Sequence, residues 1–123
     1  MKICNISDTH NLLHLILDKM EDSDLLLCSG DFTKHGTKQE MSVFFETLKS
    51  IEHRFDKIIF CAGNHDFYVK DDPTDFSNMV HDLGDKFVYL EDREYIYNGI
   101  KIYGFPWTPK YGNWVFMLER NSI

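Results

Sequence analysis

Three short apolar runs, each followed at once by polar residues, constrain the fold of this chain most strongly. The runs cover residues 2–7, 25–29 and 57–62. Apolar runs of this length that end in polar loops are typical of strands buried on both faces, as in parallel sheets. Helical patterns lie between them, so the sequence predicts an α/β fold whose first sheet is mostly parallel.

Three helices are predicted to connect and follow these strands. The first depends on apolar residues that recur at helical spacing: Leu12, Leu13, Ile16, Leu17 and Met20. The second begins at Thr37, which has the capping-box spacing to Glu40. It continues through an apolar stripe that consists of Met41, Phe44, Phe45, Leu48, Ile51 and Phe55. The third begins at Asp72 and Pro73 and ends at Gly84.

A second sheet is predicted after Gly84. Three segments have strand patterns, namely residues 87–90, 94–97 and 100–103. The last two are joined by Asn98-Gly99, a preferred two-residue hairpin turn. An aromatic and proline-rich stretch, residues 104–109, then leads into an apolar run at 114–118. We therefore expect a second sheet that is begun and left partial.

The composition suits a single folded domain over residues 1–123, because 43% of the residues are hydrophobic and 15% are aromatic. The formal net charge of −7 repels the phosphates of nucleic acid, which disfavours non-specific DNA or RNA binding. No stretch approaches the roughly 20 apolar residues that span a bilayer, and no signal-peptide pattern opens the chain. We expect a soluble, cytoplasmic protein with no membrane partner.

Polar clusters directly follow the three predicted parallel strands. The clusters are Asp8-Thr9-His10, Gly30-Asp31 and Gly63-Asn64-His65-Asp66. The loops at the carboxyl ends of the strands of an open α/β sheet gather in one crevice, so residues far apart in the chain meet there. The three clusters are therefore predicted to form one site, although any one of them alone would be ordinary turn chemistry.

The residue types in these clusters suit a divalent transition ion. Carboxylates, an imidazole and an amide oxygen favour manganese, iron or zinc over a thiolate-loving ion. Asp8 and His10 could turn toward one ion, and Asp31 could bridge two ions through its two oxygens. Asn64 could hold the second ion by its amide oxygen. The cofactor prediction is thus two divalent metal ions.

His65 has a different predicted role, because it could point at a substrate. There it would protonate a leaving oxygen or stabilise charge on a phosphoryl group. Asp66 could orient its imidazole. Two ions about 3.5–4 Å apart, which activate a water and clamp a phosphate, would complete such a hydrolytic site. Gly30 and Gly63 would let the backbone turn sharply and a phosphate approach closely.

In this order and spacing, the motifs D-x-H, G-D and G-N-H-D resemble the opening motifs of the calcineurin-like metallophosphoesterases. Residues 6–10, 30–33 and 104–109 look like the metallophosphoesterase-domain (239-type brain protein) branch, whose members include phosphodiesterases acting on cyclic nucleotides. The resemblance spans essentially the whole chain and implies an αββα sandwich, with His65 as the catalytic histidine. The metal ligands that it implies, with Asp31 as the bridge, are Asp8, His10, Asp31 and Asn64.

The resemblance stops before the last motifs of the family, which are a lone histidine and then G-H-x-H or G-H-x-D. Nothing in the sequence matches them, so the second ion would keep only Asp31 and Asn64 from this chain. We therefore expect a truncated, amino-terminal part of the family domain with an incomplete second metal site.

The leading expectation is a metal-dependent phosphoesterase that hydrolyses a phosphodiester or small nucleotide, since the acidic surface disfavours polymers. One alternative is a catalytically impaired metal-binding or interaction module. Another is one part of a split or oligomeric enzyme, in which a homo-oligomer or a complementing chain covers the open second sheet. The apolar residues expected to lie exposed there are Val115, Phe116 and Leu118.

Residues outside the motifs receive weaker roles. His35 lies in the loop after Asp31, where it could touch substrate, although a solvated loop histidine is favoured. Trp107 and Trp114 could line a base-binding pocket, but buried aromatic anchors for the second sheet are favoured. Surface positions are predicted for His14, His53 and His81.

Overall fold

The computed structural model describes residues 1–122, which form strands and α-helices joined by short 3₁₀ turns. The strands are β1 (Ile3–Ile6), β2 (Ser23–Cys28), β3 (Phe55–Phe60), β4 (Phe87–Tyr89), β5 (Arg93–Tyr97), β6 (Ile100–Gly104), β7 (Thr108–Pro109) and β8 (Met117–Leu118). The α-helices are α1 (Lys38–Ser50), α2 (Tyr68–Asp71) and α3 (Pro73–Leu83). Within this part of the chain, no helix is both long and apolar enough to cross a bilayer.

Four strands form one parallel sheet in the order β1-β2-β3-β4. At its carboxyl end Ile6 lies beside Cys28, and Cys28 lies beside Phe60. The three predicted apolar strands are confirmed, although β3 begins two residues earlier than expected, at Phe55. The prediction of a mostly parallel first sheet is also confirmed, since all three strand pairings in it are parallel.

The segment predicted at residues 87–90 belongs to this first sheet, which corrects its assignment to the second one. β4 pairs in parallel with β3, with Phe87 beside Ile58. An apolar run of this length fits a strand of either sheet, so the path of the chain after α3 determines which sheet the run joins. Gly84 ends α3 with a positive φ of 99°, and the Lys86 carbonyl accepts a hydrogen bond from the Ile58 N–H at 3.0 Å. The chain therefore meets β3 directly after the helix.

The helices α1 and α3 cover one face of the sheet, where the sequence predicted helices. α1 begins with the expected capping box, in which Thr37 and Glu40 each accept the other's backbone N–H. Its inner side is buried at Met41, Phe44, Phe45 and Leu48. Phe32 stacks on Phe44 with ring centroids 4.3 Å apart, and Phe76 of α3 packs into the same core.

The first predicted helix is wrong, because two 3₁₀ turns replace it, at Leu13–Leu15 and Leu17–Lys19. Arg54, from the turn before β3, donates hydrogen bonds to the carbonyls of Leu17 and Met20. These contacts with a distant residue hold the segment in short turns. The apolar residues keep the spacing that suggested a helix. The backbone, however, forms the i→i+3 hydrogen bonds of 3₁₀ turns in place of the i→i+4 hydrogen bonds of an α-helix.

The hairpin β5–β6 covers the opposite face of the sheet. Its turn is the predicted Asn98-Gly99, where φ is 48° and 82°, as this hairpin turn requires. The Tyr97 hydroxyl donates to Asp56 at 2.6 Å. Buried residues between hairpin and sheet are Leu25, Ile59, Leu90 and Tyr97. Helices, parallel sheet and hairpin are thus three successive layers, which is the start of the predicted αββα sandwich.

The last described segment folds back as the short parallel pair β7–β8. Phe116 is only 2% exposed, and Val115 and Leu118 are partly buried, which corrects the expectation of exposed apolar surface there. The Phe116 ring meets Trp107 edge-on with centroids 5.2 Å apart, so Trp107 is an aromatic anchor as predicted. Trp114, in contrast, is 40% exposed, which corrects its prediction as a buried anchor.

Candidate metal centre

The three polar clusters lie together at the carboxyl end of the parallel sheet. Backbone hydrogen bonds continue past the strands: the Asp8 N–H donates to the Gly30 carbonyl at 2.9 Å. Likewise, the His10 N–H donates to the Asp31 carbonyl at 3.0 Å. The third cluster joins through the His65 N–H, which donates to the Asp31 carboxylate at 2.8 Å. Asp31 is therefore bonded to both neighbouring loops and stands at the centre of the crevice.

Four residues of this crevice adopt a left-handed backbone conformation that residues other than glycine seldom occupy. Their φ angles are 54° at Asp8, 41° at His10, 70° at Asn11 and 53° at Asp31. Such conformations persist where surrounding contacts over-determine them, and they concentrate at functional sites. The strained backbone therefore marks the same strand ends as the polar motifs.

Asp8, His10 and Asp31 bring their donor atoms into one group, in which all lie within 4.8 Å of one another. The Nε2 atom of His10 lies 3.7 Å from Asp8 Oδ1. The other ring nitrogen, Nδ1, lies 3.2 Å from the Thr33 carbonyl. That carbonyl favours a proton on Nδ1 and leaves the Nε2 lone pair facing the carboxylates, which is the usual arrangement of a metal-binding histidine.

The surroundings of Asp31 fit a divalent cation. Burial raises the pKa of this half-buried carboxyl; His65 opposes that rise, and the neighbouring Asp8 carboxylate adds to it. Two carboxylates that face each other in a partly buried crevice repel, and a cation between them would relieve the repulsion. Carboxylate, imidazole and amide oxygen are also the donors that such ions take.

Asn64 is held between Asp31 and Tyr111. With its nitrogen turned inward, the carboxamide donates to the two Asp31 oxygens at 2.8 and 3.0 Å and accepts from the Tyr111 hydroxyl. The reversed carboxamide presents its oxygen to Asp31 and donates to the same hydroxyl. A tyrosine hydroxyl can serve both orientations because it donates and accepts. The reversed orientation is the one that offers an oxygen ligand to a cation.

Gly30 and Gly63 lie where the second and third loops touch backbone to backbone. A Cβ atom at Gly63 would lie 2.3 Å from an Asp31 carboxylate oxygen, and one at Gly30 would lie 2.7 Å from the Gly63 nitrogen. Gly30 also has a positive φ of 101°. Both positions therefore exclude a side chain, in agreement with the prediction of sharp turns there.

His65 borders the same crevice. Its ring lies beside His10, with centroids 4.8 Å apart and planes at 79°. Its Nδ1 atom lies 3.0 Å from the Lys34 carbonyl, so the opposite nitrogen, Nε2, is the one left for a ligand or substrate. Trp114 covers the imidazole at a centroid distance of 4.2 Å and an angle of 32°.

Asp66 is fully buried, and its carboxylate joins the second and third loops of the crevice through hydrogen bonds. Its carboxylate accepts four hydrogen bonds of 2.7–3.0 Å, from the N–H groups of Asp31, Gly63 and Thr33 and from the Thr33 hydroxyl. Burial raises the pKa of Asp66 and the nearby Asp31 carboxylate adds to the rise, whereas the hydrogen bonds from Gly63 and Thr33 oppose it. The contact that orients the imidazole of the neighbouring histidine comes from the Lys34 carbonyl, which corrects the prediction that Asp66 orients it. An effect of Asp66 on catalysis stays a prediction.

Glu40 supports the site in a way that the sequence did not indicate. Besides capping α1, its carboxylate accepts the N–H groups of Lys34 and His35 and the amide of Asn11, at 2.6–3.2 Å. Burial alone would raise the pKa of Glu40, but these bonds lower it to about 2. The capping-box spacing identified Glu40, whereas nothing local links it to Asn11. The His35 side chain, a candidate substrate contact, is exposed.

The fold and the crevice together define an α/β domain with a candidate divalent-metal centre at the carboxyl ends of its parallel strands. The sequence model of the calcineurin-like phosphoesterases matches residues 1–119. This chain therefore belongs to the calcineurin-like phosphoesterase family, as its three motifs predicted.

Curated relatives agree with that assignment. A UPF0046 protein of Caenorhabditis elegans is 36% identical over 96% of this chain and 45% of its own length. Metallophosphoesterase domain-containing protein 1, in both human and mouse, is 34% identical over 95% of this chain and 40% of its own length. The chain thus spans less than half the length of these relatives.

Proposed function

We propose that this chain is a metal-dependent phosphoesterase that hydrolyses a phosphodiester or a small nucleotide at a centre of two divalent ions. One observation carries the proposal. Donor atoms of Asp8, His10 and Asp31 lie within 4.8 Å of one another at the strand ends, and the imidazole of His65 borders them without belonging to the group. Ligands and a separate proton donor are what hydrolysis of a phosphate ester needs.

Asp8, His10 and Asp31 would hold one ion, and Asp31 and Asn64 would hold the second, with Asp31 as the bridge. When bound, such ions supply Lewis acidity, which lowers the pKa of a water molecule and offsets charge on the phosphoryl group. The oxygen and nitrogen donors suit manganese, iron or zinc. We propose manganese as the ion for the first assays.

His65 is the proposed general acid. The Lys34 carbonyl holds its Nδ1–H at 3.0 Å, so a protonated ring offers its second proton at Nε2. A water oxygen bonds to phosphorus and loses a proton to solvent; as the bond to the leaving oxygen breaks, the Nε2 proton passes to that oxygen. Asp66 serves this step indirectly, since its bonds to the N–H groups of Asp31 and Gly63 set the distance between the two loops.

The proposed substrate is small because the formal net charge of −7 opposes the approach of a polyanion. A phosphodiester or nucleotide of low charge meets less repulsion than DNA or RNA, and the proposed setting is the cytoplasm without a membrane partner. Among the described residues, Asp31 and Asn64 are the proposed ligands of the second ion. A second copy or a complementing chain is the proposed source of its remaining ligands.

The test is metal stoichiometry on the purified chain, loaded with manganese, beside hydrolysis of bis(4-nitrophenyl) phosphate. We expect two ions per active assembly, and turnover that Asp31→Asn lowers by at least about a hundredfold, since even indirect supports of a metal ligand are worth 10–100-fold. Asp18→Asn, in an exposed turn, is the matched control. Unchanged turnover in Asp31→Asn would refute the bridging role.

Two other outcomes redirect the assignment. One ion or none, with no turnover, favours the non-catalytic metal-binding or interaction module. Light scattering on the same samples tests the partner proposal, because an active monomer with two ions would need no ligands from another polypeptide. An assembly that forms only with metal would support a shared site.

A further inference from the structure

A strap, residues 110–116, crosses the outer side of the candidate metal centre. Backbone hydrogen bonds fix both of its ends: the Thr108 N–H donates to the Phe116 carbonyl at 3.0 Å, and the Lys110 N–H donates to the Leu118 carbonyl at 2.7 Å. A third bond joins the strap to the site itself, from the Val115 N–H to the Asn64 carbonyl at 3.2 Å. The strap is therefore tied to the loop that carries His65.

The carboxyl end of the strap is also anchored by side chains. Phe116 is 2% exposed and packs edge-on against Trp107 at 5.2 Å. The Lys70 ammonium lies 5.1 Å from the centre of the Phe116 ring, and an ion pair with Glu91 at 2.7 Å holds that ammonium in place. The backbone two residues after Trp114 is thus fixed by the core.

Trp114 makes its main ring contact with His65. The two ring centroids lie 4.2 Å apart at 32°, whereas Phe67 lies farther away, at 6.3 Å. Since 40% of the Trp114 surface stays in water, burial accounts for only part of its placement. A large aromatic ring held by an anchored strap over one imidazole restricts how that imidazole can move.

The remaining contacts of His65 do not fix the plane of its ring. The hydrogen bond from Nδ1 to the Lys34 carbonyl, at 3.0 Å, fixes one atom. His10 borders the ring at 4.8 Å in an edge contact, with the planes at 79°. A single bond and an edge contact still allow the ring to tilt, and tilting would move Nε2 away from a substrate. The indole of Trp114 blocks this tilting on one face of the imidazole.

We propose that Trp114 is a positioning residue that holds the His65 imidazole in the orientation needed for proton transfer. The inference rests on the proposed function, because it assigns Trp114 a part in the same hydrolysis. Trp114 acts through His65, so its loss affects the chemical step more than binding. Positioning errors of about 1 Å can lower a rate by roughly a hundredfold.

The experiment compares Trp114→Ala with Trp114→Phe, which keeps an aromatic ring over the imidazole. Tyr103→Ala is the control, since Tyr103 is a 57% exposed aromatic on β6. The first measurement is the NMR shift of the His65 ring protons in metal-free protein, where a stacked indole produces a ring-current shift. The second is kcat and KM for bis(4-nitrophenyl) phosphate with manganese.

We expect Trp114→Ala to lose the ring-current shift and to lower kcat by about 10- to 100-fold with KM within about threefold. Trp114→Phe should recover most of kcat, and Tyr103→Ala should match the wild type. A wild-type kcat in Trp114→Ala, or unchanged His65 shifts, would overturn the inference while leaving the proposed function intact. A wild-type chain with no turnover would refute the proposed function and, with it, this role of Trp114.

Discussion

The first-sheet region, residues 1–90, and the second-sheet region, residues 93–118, are built very differently. The first has a continuous apolar core between its helices and its parallel sheet. Eleven large hydrophobic side chains are exposed within the described residues, and six of them lie in the much shorter second-sheet region: Ile96, Ile100, Tyr103, Phe105, Tyr111 and Trp114. The second-sheet region is thus the thinner and less buried part of the molecule.

The two regions also contribute differently to the candidate metal centre. All of the proposed ligands and the proposed general acid come from the first-sheet region, on loops that share buried hydrogen bonds. The second-sheet region reaches the site from outside, through Tyr111 against Asn64 and Trp114 against His65. Substitutions in the first-sheet region should therefore abolish folding or metal binding, whereas substitutions in the second-sheet region should have smaller effects on both.

The largest expected contrast in stability is between Phe32→Ala and Ile96→Ala. Phe32 is 2% exposed and stacks on Phe44 at 4.3 Å, so its truncation should lower the free energy of unfolding by about 3–5 kcal/mol. Ile96 is 59% exposed, and its truncation should change that free energy by about 0.5 kcal/mol or less. Urea unfolding followed by circular dichroism measures both free energies of unfolding. Similar losses in the two variants would contradict the proposed difference between the two regions.

A smaller contrast is expected for one chemical change made in both regions. Asp66→Asn places an amide NH₂ among four donors in a fully buried position. We expect a loss of about 2–4 kcal/mol in the free energy of unfolding.

Asp92→Asn is its counterpart in the second-sheet region. The exposed Asp92 carboxylate accepts the indole N–H of the partly buried Trp107, at 2.8 Å, and Asp92 has a φ of 56° that asparagine tolerates. Its substitution should change stability by about 0.5 kcal/mol or less in the same urea assay. An Asp92→Asn loss as large as that of Asp66→Asn would show that the second region is also held by buried polar contacts.

The smallest expected effect concerns the dependence of stability on pH. Although burial opposes it, hydrogen bonds from His35, Asn11, Thr37 and Lys34 lower the pKa of Glu40 from its ordinary value of 4.5 to about 2. A lowered carboxyl pKa stabilises the fold above the unfolded value, and that stability disappears as the pH falls from about 4.5 to about 2.

Glu40→Gln should therefore flatten the loss of stability between about pH 5 and pH 2. After allowance for solvent screening, the difference is about 1–2 kcal/mol. Glu46→Gln, on an exposed position of the same helix, is the control. Parallel pH profiles of stability for Glu40→Gln and the wild type would show that the Glu40 carboxylate does not stabilise the loops of the first-sheet region.

Much of the fold could be predicted because its signals are local. The buried strands, the capping box at Thr37 and Glu40, and the Asn98-Gly99 hairpin are all where the sequence indicated. The 3₁₀ turns at residues 13–19 could not be predicted, since Arg54, which holds them, lies more than 30 residues away. Long-range hydrogen bonds leave no trace in local periodicity.

The candidate site divides in the same way. The sequence determined by itself which residues reach the crevice, because three polar motifs follow three strands whose carboxyl ends must meet at one edge of a parallel sheet. Only the tertiary structure decided what holds them: the Lys34 carbonyl on His65, the donors around Asp66, and the strap that brings Trp114 onto the imidazole. Those partners are chosen by packing between distant segments, which a linear pattern of residue types does not specify.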